Sequence, residues 1–428
     1  MDLSGLSPDK APPVEAPLAL FYLMPLFIGL AGMVLLWQGD QVLASRWAPA
    51  TLAATHFIVL GALAPVMCGA LLQISPVLLG APFPRVRLIA LLTATGLGVG
   101  SLLIGSGFLT GLPVLLVAGG VAAASGLAVF LVAAQLVLRG AGGRMETRWA
   151  VRLATAALGV TLLLGLSLAA ARMGWLHLPQ HLLLVDTHVA WGLGGWVGLL
   201  LAGIGMEIIP LFYIAPAFSR WIKRTLPIAV FAILIGLTAL ALQTSASMAL
   251  LKTLMLALFV AHLVYNLAAL AVQRRRQRPQ RDANLWLWQL SHVGVLAAFV
   301  AWLVGYSPSQ VGVLLLGAAL SFVVGSMLKI VPFLSWLDLQ QRRIAGRHVK
   351  VTLPRLRALL PTRTANAVGL TLAAAIVAVA AAPLAPLLTR VGGLLLVVCA
   401  VLLGYALASA ARQRHAVIRQ FNTSDPAR

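Results

Sequence analysis

Four histidines of this chain, His56, His188, His262 and His292, stand inside long apolar stretches. An ionisable ring is costly at membrane depth, so each should face the interior of a helix bundle. Imidazoles kept there serve either as ligands for haem iron or copper, or as hydrogen-bond donors to a neighbouring helix. His177, His181 and Asp186 precede His188 at one helix mouth. Together with His56 this gathers an outer metal-ligating set of His56, His188, His177 and His181. A second, inner pair, His262 and His292, falls on consecutive antiparallel stretches at matching depth, where two rings could clamp a planar macrocycle. For that pair the competing reading is a hydrogen bond from each ring to a backbone carbonyl. Asp186 could fix the tautomer of His188 if the chain between them is not yet helical, whereas in a regular helix residues i and i+2 face apart.

The elements that carry these residues repeat. Gly69-Ala-Leu-Leu-Gln73-Ile74-Ser-Pro76, Gly203-Ile-Gly-Met-Glu207-Ile208-Ile-Pro210 and Gly325-Ser-Met-Leu-Lys329-Ile330-Val-Pro332 share the frame Gly-x3-polar-Ile-x-Pro. The first two also place a histidine upstream, His56 and His188, and an Ala-Pro pair downstream, Ala81-Pro82 and Ala215-Pro216. The polar position gives Gln73, Glu207 and Lys329. Brought together by threefold symmetry, Glu207 and Lys329 could pair and relieve two buried charges, with a part in proton input. Alternatively Lys329 snorkels to the interface while Glu207 stays protonated or pairs with a loop arginine. Pro76, Pro210 and Pro332 are expected to end or kink their helices.

Composition sets the class. Of 428 residues 61% are hydrophobic and 10% charged, with a mean hydropathy of +0.98. A soluble fold could not cover itself with so few charges. Apolar runs long enough to span a bilayer lie near 17–37, 50–79, 87–110, 113–138, 149–173, 183–213, 225–244, 248–272, 285–306, 310–336, 365–383 and 386–411. The runs are continuous rather than alternating, which excludes a β-barrel. The expected fold is all-α, a polytopic membrane bundle of about 12 transmembrane helices with pseudo-threefold repeats in spans 2, 6 and 10. Residues 1–16 read as a polar N-terminal segment, 17–411 as one transmembrane domain, and 412–428 as a frayed cytoplasmic tail.

The formal charge of +21 is a topology signal rather than a nucleic-acid footprint. Counted from a cytoplasmic N-terminus, the inner loops hold Arg85 and Arg87; Arg139, Arg144, Arg148 and Arg152; Arg220, Lys223 and Arg224; the run Arg274 to Arg281; and a further group from Arg342 to Arg363. The outer side holds Arg46, Arg172, Lys252 and Arg390. This asymmetry places both termini in the cytoplasm of a bacterial inner membrane and makes anionic lipid headgroups the expected partner, with no nucleic acid. His348 and His415 fall in cytoplasmic segments and read as solvated. Cys68 and Cys399 are both mid-span and read as small core residues.

Twelve spans, related spans at positions two, six and ten, and an outer-leaflet histidine in the second resemble the haem-copper oxidase subunit I superfamily. The stretch Thr55-His56-Phe-Ile-Val-Leu-Gly61 through Pro76 is most similar to its divergent NnrS-like haem and copper membrane proteins, which are linked to nitric oxide tolerance. The resemblance implies that His56 is an axial ligand of haem and that His188 matches the sixth-span copper histidine. Two departures follow from it: residues 225–244 and 310–336 contain no histidine, whereas the oxidases hold further copper and haem ligands there. Oxygen reduction is therefore not expected. The implied protein binds haem b, with copper as a second cofactor, and handles redox or nitric oxide and respiratory stress, with a respiratory or cytochrome partner. The rival expectation is a transporter, or an assembly or structural subunit of a respiratory complex, that has lost the metals. Parallel repeats suit the commonest transporter designs less well than inverted ones do.

Overall fold

The computed structural model describes residues 12–142, 144–243, 247–346 and 351–423. Among them every regular element is a helix, and twelve helices are long and apolar enough to cross a membrane. In chain order these are α1 Glu15–Gln38, α2 Pro49–Leu79, α3 Val86–Thr110, α4 Pro113–Gly140, α5 Met145–Arg172, α6 His181–Tyr213, α7 Arg220–Ala241, α8 Met248–Arg274, α9 Ala283–Leu303, α10 Pro308–Ala345, α11 Thr362–Ala380 and α12 Leu387–Thr423. The chain is an all-α, multi-pass membrane protein.

Local chemistry sets the helix starts. Proline opens α2, α4 and α10, where its missing N–H costs nothing and its φ is already helical. Ser219, Ser247 and Asp282 cap α7, α8 and α9 with side-chain acceptors. Ser307 and Gln310 form a reciprocal capping box at α10. Tight turns use left-handed glycines, Gly111 after α3 and Gly305 after α9. Pro332 does not end α10, which continues to Ala345 with its neighbours holding the freed carbonyl environment in protein.

Sequential helices pack as antiparallel neighbours, notably α3 on α4 and α9 on α10, and α1 packs on α12 to bring the two ends of the bundle together. That last contact is a close backbone approach: a Cβ on Gly32 would stand 2.7 Å from the Gly393 oxygen, and one on Gly393 would stand 2.5 Å from the Leu36 nitrogen. Small residues at such crossings supply the packing that lipid cannot drive hydrophobically. The three repeat-bearing helices are the most enclosed. In α2, α6 and α10 the most apolar windows are 78%, 67% and 67% buried, against 56% or less in the other nine. They form the inner layer, and lipid-facing apolar side chains cover the outer helices.

An even number of spans puts Pro12 and Thr423 on one face, called here the terminal face; the opposite face is distal. Trp149 and Trp221 are exposed near the terminal face and Trp37, Trp47 and Trp175 near the distal one. This is the aromatic belt of a membrane-crossing domain.

The C-terminal tail differs from the sequence reading. α12 does not fray beyond Arg412 but stays helical to Thr423, because Val417 and Phe421 bury against Leu339 of the extended α10. Arg414, 3% exposed, donates from Nε to Asp338 at 2.7 Å and from Nη2 to Glu15 at 2.5 Å, tying α1, α10 and α12 together. Arg414→Ala removes the buried partner of two carboxylates, leaving each only the more exposed Arg342, and is expected to destabilise by about 2 kcal/mol. The check is the thermal midpoint of the detergent-solubilised variant; an unchanged midpoint would show that the triad contributes nothing.

Candidate functional site

His56 ends the first two turns of α2. Its Nδ1 lies 2.8 Å from the Leu52 carbonyl oxygen, and its ring packs on Phe108 of α3 with centroids 5.2 Å apart. His188 ends the corresponding turns of α6. Its Nδ1 lies 3.1 Å from the Thr161 carbonyl oxygen of α5, and its Cε1 rests on Gly165. A carbonyl only accepts, so in both rings Nδ1 carries the proton and Nε2 keeps its lone pair. Among the described residues neither Nε2 has a hydrogen-bond partner. A metal-ligating imidazole is held in this way, its far N–H donated to a fixed acceptor so that the ligating nitrogen is free and correctly aimed.

The backbone after each ring is unusual in the same manner. α2 widens into a π-helix over Phe57–Leu63, directly after His56, and α6 over Ala190–Gly198, separated from His188 by one residue. Such wide turns are rare and concentrate at functional sites. Their lengths differ by as much as the spacings that follow the two histidines. His56 lies thirteen residues before Gly69 and His188 fifteen before Gly203. The π stretch of α6 is two residues longer than that of α2, nine against seven.

Both rings line one cavity of about 1270 Å³. Its walls are largely aliphatic and aromatic, drawn from all three inner helices and their neighbours. Its rim on the distal face carries Arg46, Arg172, Lys252, Asp186 and His181. Its floor holds Tyr265, Asn266, Ser291 and His292, with His262 on the wall above. The structure thus brings His56, His188, His262 and His292 to a single space, but in different chemical states. His262 lies against the glycine face of α6, where a Cβ on Gly198 would stand 2.4 Å from its Cε1, and its Nε2 is buried with no well-formed hydrogen bond. His292 is saturated. Its Nδ1 donates to Asn266 Oδ1 at 2.7 Å and its Nε2 accepts from Gln273 Nε2 at 3.1 Å. It cannot coordinate a metal without giving up one of these bonds, and its partners are carboxamides rather than backbone carbonyls.

The remaining sequence candidates separate from this cavity. His177 is exposed on the loop before α6 and is not part of the lining; His181 reaches only the rim. Asp186 does not orient His188. It lies in a regular helix and pairs with Arg46, which also stacks on Trp47. The polar repeat residues do not meet one another. Glu207 accepts from Lys223 at 2.7 Å, Thr147 at 2.9 Å and Arg144 at 3.2 Å. Lys329 donates to Asp282 at 2.8 Å and lies over the Tyr213 ring at 4.1 Å. The buried Gln73 Oε1 has no hydrogen-bond partner among the described residues, and Gln73 lies in a separate small pocket on the terminal face. Tertiary position, not repeat symmetry, assigns each its partner. His415 extends helical α12 rather than a free tail, and His348 and residues 1–11 lie outside the described residues.

Asp282 caps α9 outside the spans. Burial pushes its carboxyl up, but hydrogen bonds from Lys329 and Tyr213 outweigh that and hold it below its ordinary value. A depressed carboxylate contributes stability that is present above the unfolded value near 3.9 and is lost as pH falls through the folded one. Asp282→Asn is therefore expected to lower the thermal midpoint at neutral pH and to converge on the parent at strongly acid pH. A gap that persists at acid pH would contradict this.

The sequence reading passed over Gln273, although His262, Asn266 and Gln273 stand four and seven residues apart, on one stripe of α8. It also counted Arg46, Arg172 and Lys252 only as topology charges. Among the described residues no three His, Cys, Asp or Glu side chains converge to hold a metal ion by themselves. No protein-family model matches the chain, and no curated protein matches it.

Proposed function

We propose that the chain is a haem-binding protein of a bacterial inner membrane, with its terminal face in the cytoplasm, acting in redox handling or in the response to nitric oxide and respiratory stress. The observation that supports it most is the pairing of His56 and His188. They occupy corresponding places in two repeats, each has its Nδ1–H committed to a carbonyl, and each leaves Nε2 open to one large apolar cavity. The donor set suits a porphyrin better than a bare ion. Structural and catalytic zinc or copper sites draw three or four ligands from the protein, whereas a macrocycle supplies four of its own and asks for one or two imidazoles. The apolar wall suits the ring, and the cationic rim suits carboxylate substituents.

When bound, haem supplies one-electron chemistry and, where one axial position is open, binding of a diatomic such as nitric oxide. The chain's residues would do the rest. His56, or His56 with His188, holds the iron; Leu52 and Thr161 fix the tautomers; the aliphatic wall excludes water; Arg46, Arg172 and Lys252 offset negative charge at the mouth. Copper is a subsidiary expectation here, because His177 and His181 do not complete a ligand set around His188. An optical spectrum of protein purified from haem-replete cells, with elemental analysis for iron and copper, tests the proposal: a Soret band with iron supports it.

A second reading has its own observation. The cavity opens toward the distal face and stops at Phe322, above an aromatic stack, which is the shape of a transporter in one access state. Haem-free protein that moves a lipophilic anion across a vesicle membrane would favour that reading.

A further inference from the structure

We propose that the cavity is entered from the distal face only, and that its ligand is an anionic amphiphile drawn in by the rim cations. This deepens the proposal above by giving the ligand's charge and side of entry, and it rests on this cavity being the ligand site.

Three observations combine. The first is charge. Arg46, Arg172, Lys252 and Asp186 line the cavity, three cations against one carboxylate. Asp186 is taken by Arg46, so Arg172 and Lys252 are left in excess. Arg172 stacks on Phe108, the ring that carries His56, and neither it nor Lys252 has a carboxylate partner among the described residues. A low-dielectric wall beneath such a rim focuses the field and concentrates anions at the mouth.

The second is the shape of the opening. The lining includes exposed residues at the distal helix ends and turns, Trp47, Arg172, His181, Lys252 and Tyr306, and no residue of the terminal-face loops. The third is the closed end. Phe212, Trp288 and Phe322 stack in a column with centroids 6.0 and 5.1 Å apart. Trp288 is fully buried and donates to the Phe322 carbonyl at 3.1 Å. Beneath it, Lys329 and Asp282 close the terminal side. A ligand with an apolar body and a negative end therefore has one way in, body first toward the floor and charge left at the rim.

The test is cysteine accessibility, which needs no haem and so separates this inference from the proposal it deepens. Val59→Cys, in the wall just below His56, is made in a Cys68→Ala, Cys399→Ala background; Leu162→Cys is a second reporter should the first misfold. Sealed vesicles of known orientation receive an anionic sulfonatoethyl methanethiosulfonate or its cationic trimethylammonium counterpart. Rates are taken relative to a free thiol. The expected result is labelling from the distal side, with the anionic reagent favoured by about tenfold or more, and a preference that falls close to one in Arg172→Gln/Lys252→Gln. Labelling from the terminal side, a preference unmoved by the rim variant, or no labelling at either position would overturn the inference. Haem-free protein with distal, anion-selective labelling would remove the haem reading and leave this one standing.

Discussion

His56→Ala protein is expected to emerge from haem-replete cells with its Soret band lost or sharply reduced, while His188→Ala keeps a band that is shifted or weakened. The asymmetry follows from anchoring. His56 donates within its own helix, to Leu52 four residues back, so its ring is placed by α2 alone and further held by Phe108. His188 depends on a carbonyl of a different helix, Thr161 of α5, at a longer 3.1 Å. Partners that merely orient a metal ligand change affinity by about 10–100-fold, and loss of the ligand itself should exceed that. Imidazole added to His56→Ala refills the vacated volume and should restore part of the band. Spectra identical to the parent in both variants would remove the two rings from the site.

His292→Ala should behave in the opposite way, with a large loss of stability and a retained Soret band. The ring is 1% exposed and joins two carboxamides of α8 to α9. Its removal strands Asn266 Oδ1 and Gln273 Nε2, at about 1–3 kcal/mol for each buried group left unsatisfied. The space left by the ring adds a cavity cost on top. The thermal midpoint should fall by several degrees or more, with the spectrum of the surviving folded fraction unchanged. A normal midpoint with an altered spectrum would make His292 a ligand after all and reverse the division of roles drawn here.

That division shows how far the sequence could be read. Long apolar runs are set by local composition, so twelve spans and their approximate limits were legible. Where α12 and α10 run on past those limits, the cause is tertiary: Phe421 on Leu339, and Arg414 between Asp338 and Glu15. No local pattern at residues 412–423 announces a partner four hundred residues away. The histidines were legible as costly groups, since any imidazole in a span must find a use, but which use was not. His56, His188 and His292 look alike in sequence. They differ in their partners: Nδ1 meets a backbone carbonyl in the first two and a carboxamide in His292, and only in His292 does Nε2 meet a second carboxamide from α8. The repeat carried less than its regularity promised. It put two histidines on one cavity, yet Glu207 and Lys329 settled with charges of different neighbouring elements, and Gln73 Oε1 has no partner among the described residues. The π-helical stretches were hidden as well, although a glycine-rich run from Gly192 to Gly198 and the unequal spacings to Gly69 and Gly203 were their trace.

The most direct measurement of the central claim is haem and iron content per chain, by pyridine haemochrome and elemental analysis, on protein purified from haem-replete cells. The account predicts about one haem per chain, b-type and removable without breaking a covalent bond. A colourless, iron-free but folded preparation, still unable to take up added haemin, would contradict it.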